Sequence, residues 1–235
     1  MSIHLHINNC QYKDSTDVEV FVTWGKEIDI YPEYIRTTKS YSLKSNDPYT
    51  IMFNIYRMPE LEMTNIMNIL NPPRKINYTW CTVPFIVKNT GSSVIEDYKL
   101  YLNFDHTKIE ELDDKFHYYN SPLVNQAAVA QINASKEAKR EVFETEYFDL
   151  IEYIPLEKVL VQDDARVFEV GVKPKQGVEK ITVIWNVKSR NYQKRGELSL
   201  NVKPKYEDRA IDIKVIDPKE LKEPEIIIEP KIIEK

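Results

Sequence analysis

The sequence predicts a mainly β protein built as an antiparallel sandwich, and three observations carry that prediction. Its apolar content is β-branched and aromatic: Ile and Val number 45 against 21 for Leu and Ala, and Tyr alone contributes 15, residues that suit a pleated, half-buried surface. Apolar and polar residues alternate in a series of short runs, the period-2 pattern of a strand with one face inward. These runs recur at roughly ten-residue spacing with turn chemistry between them, as in an antiparallel sandwich. With 235 residues, 67 of them Ile, Val, Leu or Phe, the chain is long and apolar enough to bury a core.

From the N-terminus, Ile3, Leu5 and Ile7 alternate with His4 and His6, and Val18, Val20, Val22 and Trp24 repeat the pattern. Both runs read as strands. Asn46-Asp47-Pro48 breaks the chain before an Ile-, Phe- and Tyr-rich run at 49–57 that Pro59 ends, and 61–70 reads as a short helix. Asn71-Pro72-Pro73 blocks that helix and marks a division. Cys81, Val83, Phe85 and Val87 alternate up to a turn at 88–93, and alternation resumes at Tyr98, Leu100, Leu102 and Phe104, predicting a hairpin.

The stretch 105–162 does not alternate cleanly. Ala127, Ala130, Ala134 and Ala138 fall at near-helical spacing, so 125–142 is either a helix or a long ordered loop. The segment 148–154, ended by Pro155, reads as an edge strand. Three strands follow at 167–172, 181–187 and 198–202, with Trp185 expected to anchor the core. Residues 203–235 then hold 8 Lys or Arg, 9 Asp or Glu and 4 Pro. Within them Ile211, Ile213 and Val215 alternate, while Ile226-Ile227-Ile228 and Ile232-Ile233 are apolar runs gated by Pro and Glu. This segment is expected either as a free charged terminus or as an arm that docks by strand addition. The expected organisation is a β-rich N-terminal region at 1–72, the sandwich at 73–207 with a long insertion at 105–162, and a charged, Pro- and Ile-rich arm at 208–235.

The segment 85–100, Phe85-Ile86-Val87-Lys88-Asn89-Thr90-Gly91-Ser92-Ser93 running on through Glu96-Asp97-Tyr98-Lys99-Leu100, resembles the strand, N-T-G-S, acidic, strand pattern of prokaryotic immunoglobulin-like domains of the CARDB kind. The stretch 185–202 is similar to the closing strands of such sandwiches, and the resemblance covers about residues 76–204. It implies an antiparallel immunoglobulin-like β-sandwich, here with an additional β-rich N-terminal region, serving as a non-enzymatic spacer or interaction module. It carries no catalytic residue.

Composition narrows the function further. A net charge of −5, with Lys and Arg scattered among acids, gives no basic field to concentrate a polyanion, so nucleic acid is disfavoured as a partner. No basic n-region with an apolar stretch opens the chain and no window approaches 18 apolar residues, so neither secretion nor a membrane partner is expected. The two cysteines, Cys10 and Cys81, are too few for a disulfide scaffold and read as free thiols in a cytoplasmic protein.

His4, His6 and Cys10 form an H-x-H-x3-C pattern in which both His side chains leave one strand face, a workable start for a metal site that His106 or His117 would have to complete. The polar outward face of an amphipathic strand accounts for the same pattern, and no metal or other cofactor is expected. The acidic pairs Glu110-Glu111, Asp113-Asp114 and Asp163-Asp164 read as turn residues rather than acid–base pairs. No G-x-S-x-G elbow, HExxH, CxxC or phosphate-binding glycine loop occurs.

Contact chemistry is more legible than catalysis. Phe116, Tyr118 and Tyr119 place aromatics in the irregular stretch, Arg190 and Tyr192 sit in a basic turn, and Ile226, Ile227 and Ile228 form the apolar core of the arm. The expected function is a non-catalytic interaction or scaffold module whose partner is another protein or another part of a larger assembly. The competing expectation is a small hydrolase or ligand-binding protein with its site between the N-terminal region and the sandwich.

Overall fold

The computed structural model describes residues 15–23, 25–44, 75–121, 123–147, 149–190 and 192–234. His4, His6 and Cys10, the expected strands at 3–7 and 49–57, the helix at 61–70 and the division at 71–73 lie outside them. The chain forms two compact units, one drawn from Met1–Ile30 and Thr82–Val202, the other from Tyr31–Cys81 and Lys203–Lys235.

The first unit is a sandwich of two sheets. One runs in the order β1 (Val18–Val22), β5 (Cys81–Asn89), β12 (Ala165–Pro174), β8 (Ile109–Asp113). The other runs β2 (Glu27–Ile30), β14 (Gln193–Val202), β13 (Lys180–Lys188), β7 (Lys99–Phe104), β10 (Leu150–Tyr153), β9 (Val142–Glu144). Counted along the chain, β1, β5, β7, β8, β12, β13 and β14 are seven strands that sort as first-second-fifth-fourth against third-sixth-seventh, the immunoglobulin arrangement. The fold is therefore an antiparallel immunoglobulin-like β-sandwich, to which β2 adds by parallel pairing with β14, and β10 and β9 add at the opposite edge. The inner faces follow the alternation in the sequence: Val18, Val20 and Val22 on β1, and Ile181, Val183, Trp185 and Val187 on β13, are buried. Aromatic rings bridge the two sheets, Phe85 edge-on to Phe104 at 6.2 Å and Tyr153 stacked on Phe168 at 4.1 Å.

Two strand assignments from the sequence are corrected. The pair at 81–104 is not a hairpin, since β5 and β7 belong to different sheets and the segment between them, which includes β6 (Ile95–Glu96), crosses from one to the other. The crossing is held by Asn89, fully buried, whose amide donates to the carbonyls of Ser93 (2.8 Å) and Leu160 (2.9 Å) while its side-chain oxygen accepts from Gly91 N (3.0 Å). Leu160 lies on β11 (Val159–Leu160), which pairs with β6. The strand near 148–154 is not an edge, because β10 lies between β7 and β9. The Ala-rich stretch is a helix, α1 (Gln126–Glu137), capped by Asn125 accepting from Ala127 N, with no buried residue.

The second unit is a three-stranded sheet in the order β15 (Lys205–Val215), β3 (Glu33–Leu43), β16 (Glu225–Pro230), with a smaller pair of β4 (Lys75–Asn77) and β17 (Ile232–Glu234). The Pro- and charge-rich C-terminal segment is thus paired with its own chain along both sides of β3, parallel on one side and antiparallel on the other. Across the β3–β15 ladder, Arg36 makes a two-point ion pair with Asp208 (2.5 and 3.0 Å) and lies over the Tyr206 ring, itself stacked against Tyr34.

Candidate interaction surface

Past the end of β8, consecutive carboxylates set the course of the chain. Asp113 accepts from Lys115 N (2.7 Å) and Asp114 from Phe116 N (2.8 Å), local turn bonds that carry Lys115 through a positive φ of 61°. The Asp114 carboxylate also accepts from Glu144 N (3.2 Å) on β9 and pairs with the Arg140 guanidinium. Arg140 is thereby fixed between two aromatic faces, 4.5 Å from the Phe116 ring centroid and 4.7 Å from that of Phe143, and donates through Nε to Val142 O (3.0 Å). Phe116 meets Tyr118 edge-on at 5.0 Å.

Helix α1 lies along this loop through polar straps. Asn133 bonds Tyr119 twice, accepting from its N (2.6 Å) and donating to its O (3.0 Å). Lys136 donates to the His117 carbonyl and sits 5.9 Å from the Phe116 ring, and Tyr118 donates to Glu137 (3.4 Å). The result is an outward-facing surface in which a half-buried Phe116 is ringed by Lys115, Lys136, Lys139 and Arg140, with Tyr118 59% exposed beside it. Acidic groups flank it: burial, followed by the carboxylates of Asp114, Asp113 and Glu111, pushes the Glu144 pKa up.

Of the residues singled out from the sequence, Phe116, Tyr118 and Tyr119 come together here. Arg190 and Tyr192 lie apart, at the β13–β14 turn. The Tyr192 hydroxyl accepts from Val18 N (3.1 Å) and donates to Asp17 (3.3 Å), so it latches the turn to the start of β1, while Arg190 is exposed beside a hollow lined by Thr16, Val94 and Glu96. Lys194 completes that latch by pairing with Asp17 (2.6 Å) and Glu19 (2.8 Å), and its hydrogen bond holds the Asp17 carboxyl below its usual range. Ile226, Ile227 and Ile228 belong to the second unit, on β16 opposite Thr38, Thr37 and Arg36. Sequence reasoning missed Arg140, Phe143 and Asn133. Their signal, an Arg and an Asn within reach of Asp114 and Tyr119, exists only once α1 and β9 fold back on the loop.

Reactive groups are dispersed. His106 and His117 each face a single carboxylate, Asp149 at 4.0 Å and Asp113 at 3.9 Å. Cys81 is a buried free thiol whose pKa burial pushes up to about 11. Among the described residues no three His, Cys, Asp or Glu side chains gather to hold a metal ion, and no helix is long and apolar enough to cross a membrane.

No protein-family model and no curated protein matches the chain. Among solved structures, the chain is similar to a GH20 exo β-N-acetylglucosaminidase from Vibrio harveyi (TM-score 0.26, 8% identity, 80% of this chain and 19% of that one). It is also similar to ACE19, the collagen-binding subdomain of the Enterococcus faecalis surface protein ACE (TM-score 0.30, 10% identity, 56% and 95%). A third similarity is to the collagen adhesin CNA from S. aureus (TM-score 0.29, 11% identity, 86% and 52%). The chain thus spans about a fifth of the glycosidase and about half of the adhesin. At these scores the likenesses assign neither fold nor function, and the fold rests on the strand order itself.

Proposed function

We propose that this chain is a non-catalytic, protein-binding module, and that the Phe116–Tyr118–Arg140 surface is its contact face. The observation that carries the reading is an arginine clamped between two rings and a carboxylate beside an exposed tyrosine. Such a surface is pre-organised, so docking costs little side-chain entropy, and Tyr and Arg are the residue types that concentrate binding energy at protein interfaces. Three lysines and acidic neighbours at the rim suit a polar, mixed-charge partner. The partner is another protein or another part of a larger assembly. A CARDB-like lineage and a cytoplasmic setting belong to the same proposal, supported by the Asn89-Thr90-Gly91-Ser92 corner and by the free thiol of Cys81.

The test is affinity capture with the wild-type chain beside Tyr118→Ala and Lys139→Glu variants, whose side chains are exposed. A partner retained at stoichiometric level by the wild type and lost by the variants, with melting temperatures unchanged, supports the face. Equal capture by all three removes it. The hydrolase alternative drew on His4 and His6, outside the described residues. Stoichiometric metal in the purified protein, lost in a His4→Ala/His6→Ala variant, would favour it.

A further inference from the structure

The second unit ends in an unusually long uncovered strand edge. The outer strands of the sandwich sheets are short, five residues in β1 and β8, four in β2 and three in β9, whereas β15 runs eleven residues and has β3 as its one partner among the described residues. It contains no proline, and it is exposed along almost its whole length, Ile211 at 46%. Such an edge is a template for another strand.

The backbone direction of this edge can be read. Lys205 N donates to the Pro32 carbonyl, and the Ile211 carbonyl accepts from the Ser40 hydroxyl, so the odd positions of β15 turn their peptide groups toward β3. By the alternation of a ladder, Asp208, Ala210, Asp212 and Lys214 present theirs outward.

We propose that this edge pairs antiparallel with β15 of a second copy of the chain, with Ile211 opposite Ile211. A two-fold dimer requires that paired residue numbers sum to twice the residue on the axis, and the charges of the strand discriminate among the registers. Centring on Ala210 sets Asp208 against Asp212, and centring on Arg209 sets it against itself, like charges directly opposed. Centring on Ile211 sets Asp208 against Lys214 twice and Arg209 against Ile213. It keeps nine residues, 207–215, in register with no like pair opposed. Among registers of nine or more residues it is the only one with that property. The outward peptide groups of Asp208, Ala210, Asp212 and Lys214 then fall opposite one another, and Ile211 becomes a non-hydrogen-bonded pair at the axis. The mixture of signs on a single strand favours a copy of itself over a uniformly acidic or basic partner.

Sedimentation equilibrium of the full chain, together with site-directed crosslinking, tests the proposal. A dimer that dissociates on dilution is expected. An Ile211→Cys variant in a Cys10→Ser background should become a covalent dimer with oxidised glutathione as oxidant. Cα atoms in a non-hydrogen-bonded pair are about 4.5 Å apart, within the roughly 4.4–6.8 Å that a disulfide spans. Ile213→Cys, which would face Arg209, should not crosslink. Lys214→Asp opposes two carboxylates and Ala210→Pro removes an outward N–H. Each should weaken dimerisation at least tenfold with far-UV circular dichroism and melting temperature unchanged. A monomer at every concentration overturns the proposal and leaves the edge to a strand of another protein. So does a dimer indifferent to Lys214→Asp, or crosslinking through 213 in place of 211.

Discussion

Asn89 shows how one polar side chain can hold a sandwich corner. Its amide and carbonyl are spent on three backbone partners in a buried site, so Asn89→Ala takes a donor from the Ser93 and Leu160 carbonyls, while the Gly91 N–H keeps the Asp17 carbonyl (3.0 Å). A loss of about 1–3 kcal/mol is expected, the cost of a buried group deprived of its hydrogen-bond partner; urea unfolding measures it. Gly196 faces Trp185 across the β13–β14 ladder, and a Cβ there would stand 2.3 Å from the indole ring. Gly196→Ala must displace the largest core side chain and should cost about 2–3 kcal/mol, read in the same assay. Glu144 predicts a pH effect. Its folded pKa lies above the ordinary value because burial and neighbouring carboxylates disfavour the ion, so its contribution to stability is complete below the unfolded pKa and is lost as pH rises through the folded one. Glu144→Gln should therefore melt above the wild type at pH 7, with the gap closing below about pH 4. Equal melting curves across that range would refute the assignment.

At the scale of elements, alternation located the strands but not their sheets. A period of two says that one face is buried, and the inner faces of both sheets satisfy it equally. The turn residues Asn89, Gly91 and Ser92 serve a crossing between sheets as readily as a hairpin, whereas β13 and β14 really are a hairpin, so the sequence pattern alone does not separate the two cases. The aromatic members of the contact face were legible as an odd cluster, Phe116 to Tyr119. Arg140 and Phe143 were not, because they arrive from the far side of a helix whose own residues are all at least partly exposed. That helix is held by straps rather than by an apolar stripe. Asn133→Ala, which removes both bonds to Tyr119, should raise amide exchange at 118–121 roughly tenfold, the equivalent of about 1.4 kcal/mol, and leave exchange in β13 unchanged.

For the whole molecule, the least legible feature was the second unit. Its sheet leaves most of β15 in contact with solvent, so that strand carries the charges of a surface on both sides and reads as a polar arm. Only the Ile211, Ile213 and Val215 alternation marked it as a strand. In a Cys10→Ser background Cys81, at the start of β5, offers a probe of integrity: with its thiol buried and its pKa pushed up to about 11, its alkylation by iodoacetamide at pH 8 should proceed only after unfolding. Labelling of the native chain at the rate of a free thiol would contradict the burial.

The pairing of β3 with β15 joins Arg36 to Asp208, residues separated by 172 positions. During synthesis, β3 leaves the ribosome long before either of its neighbours exists, and every strand of the sandwich from β5 onward is made in the interval. Closing so long a loop is slow, and an unsatisfied strand that waits is open to the wrong partner. The chain is thus committed to finishing the strands of the sandwich first and the sheet of its second unit last. A chain released after residue 204 would have every strand of the sandwich and an unpaired β3, the form of this protein with the greatest need of a chaperone.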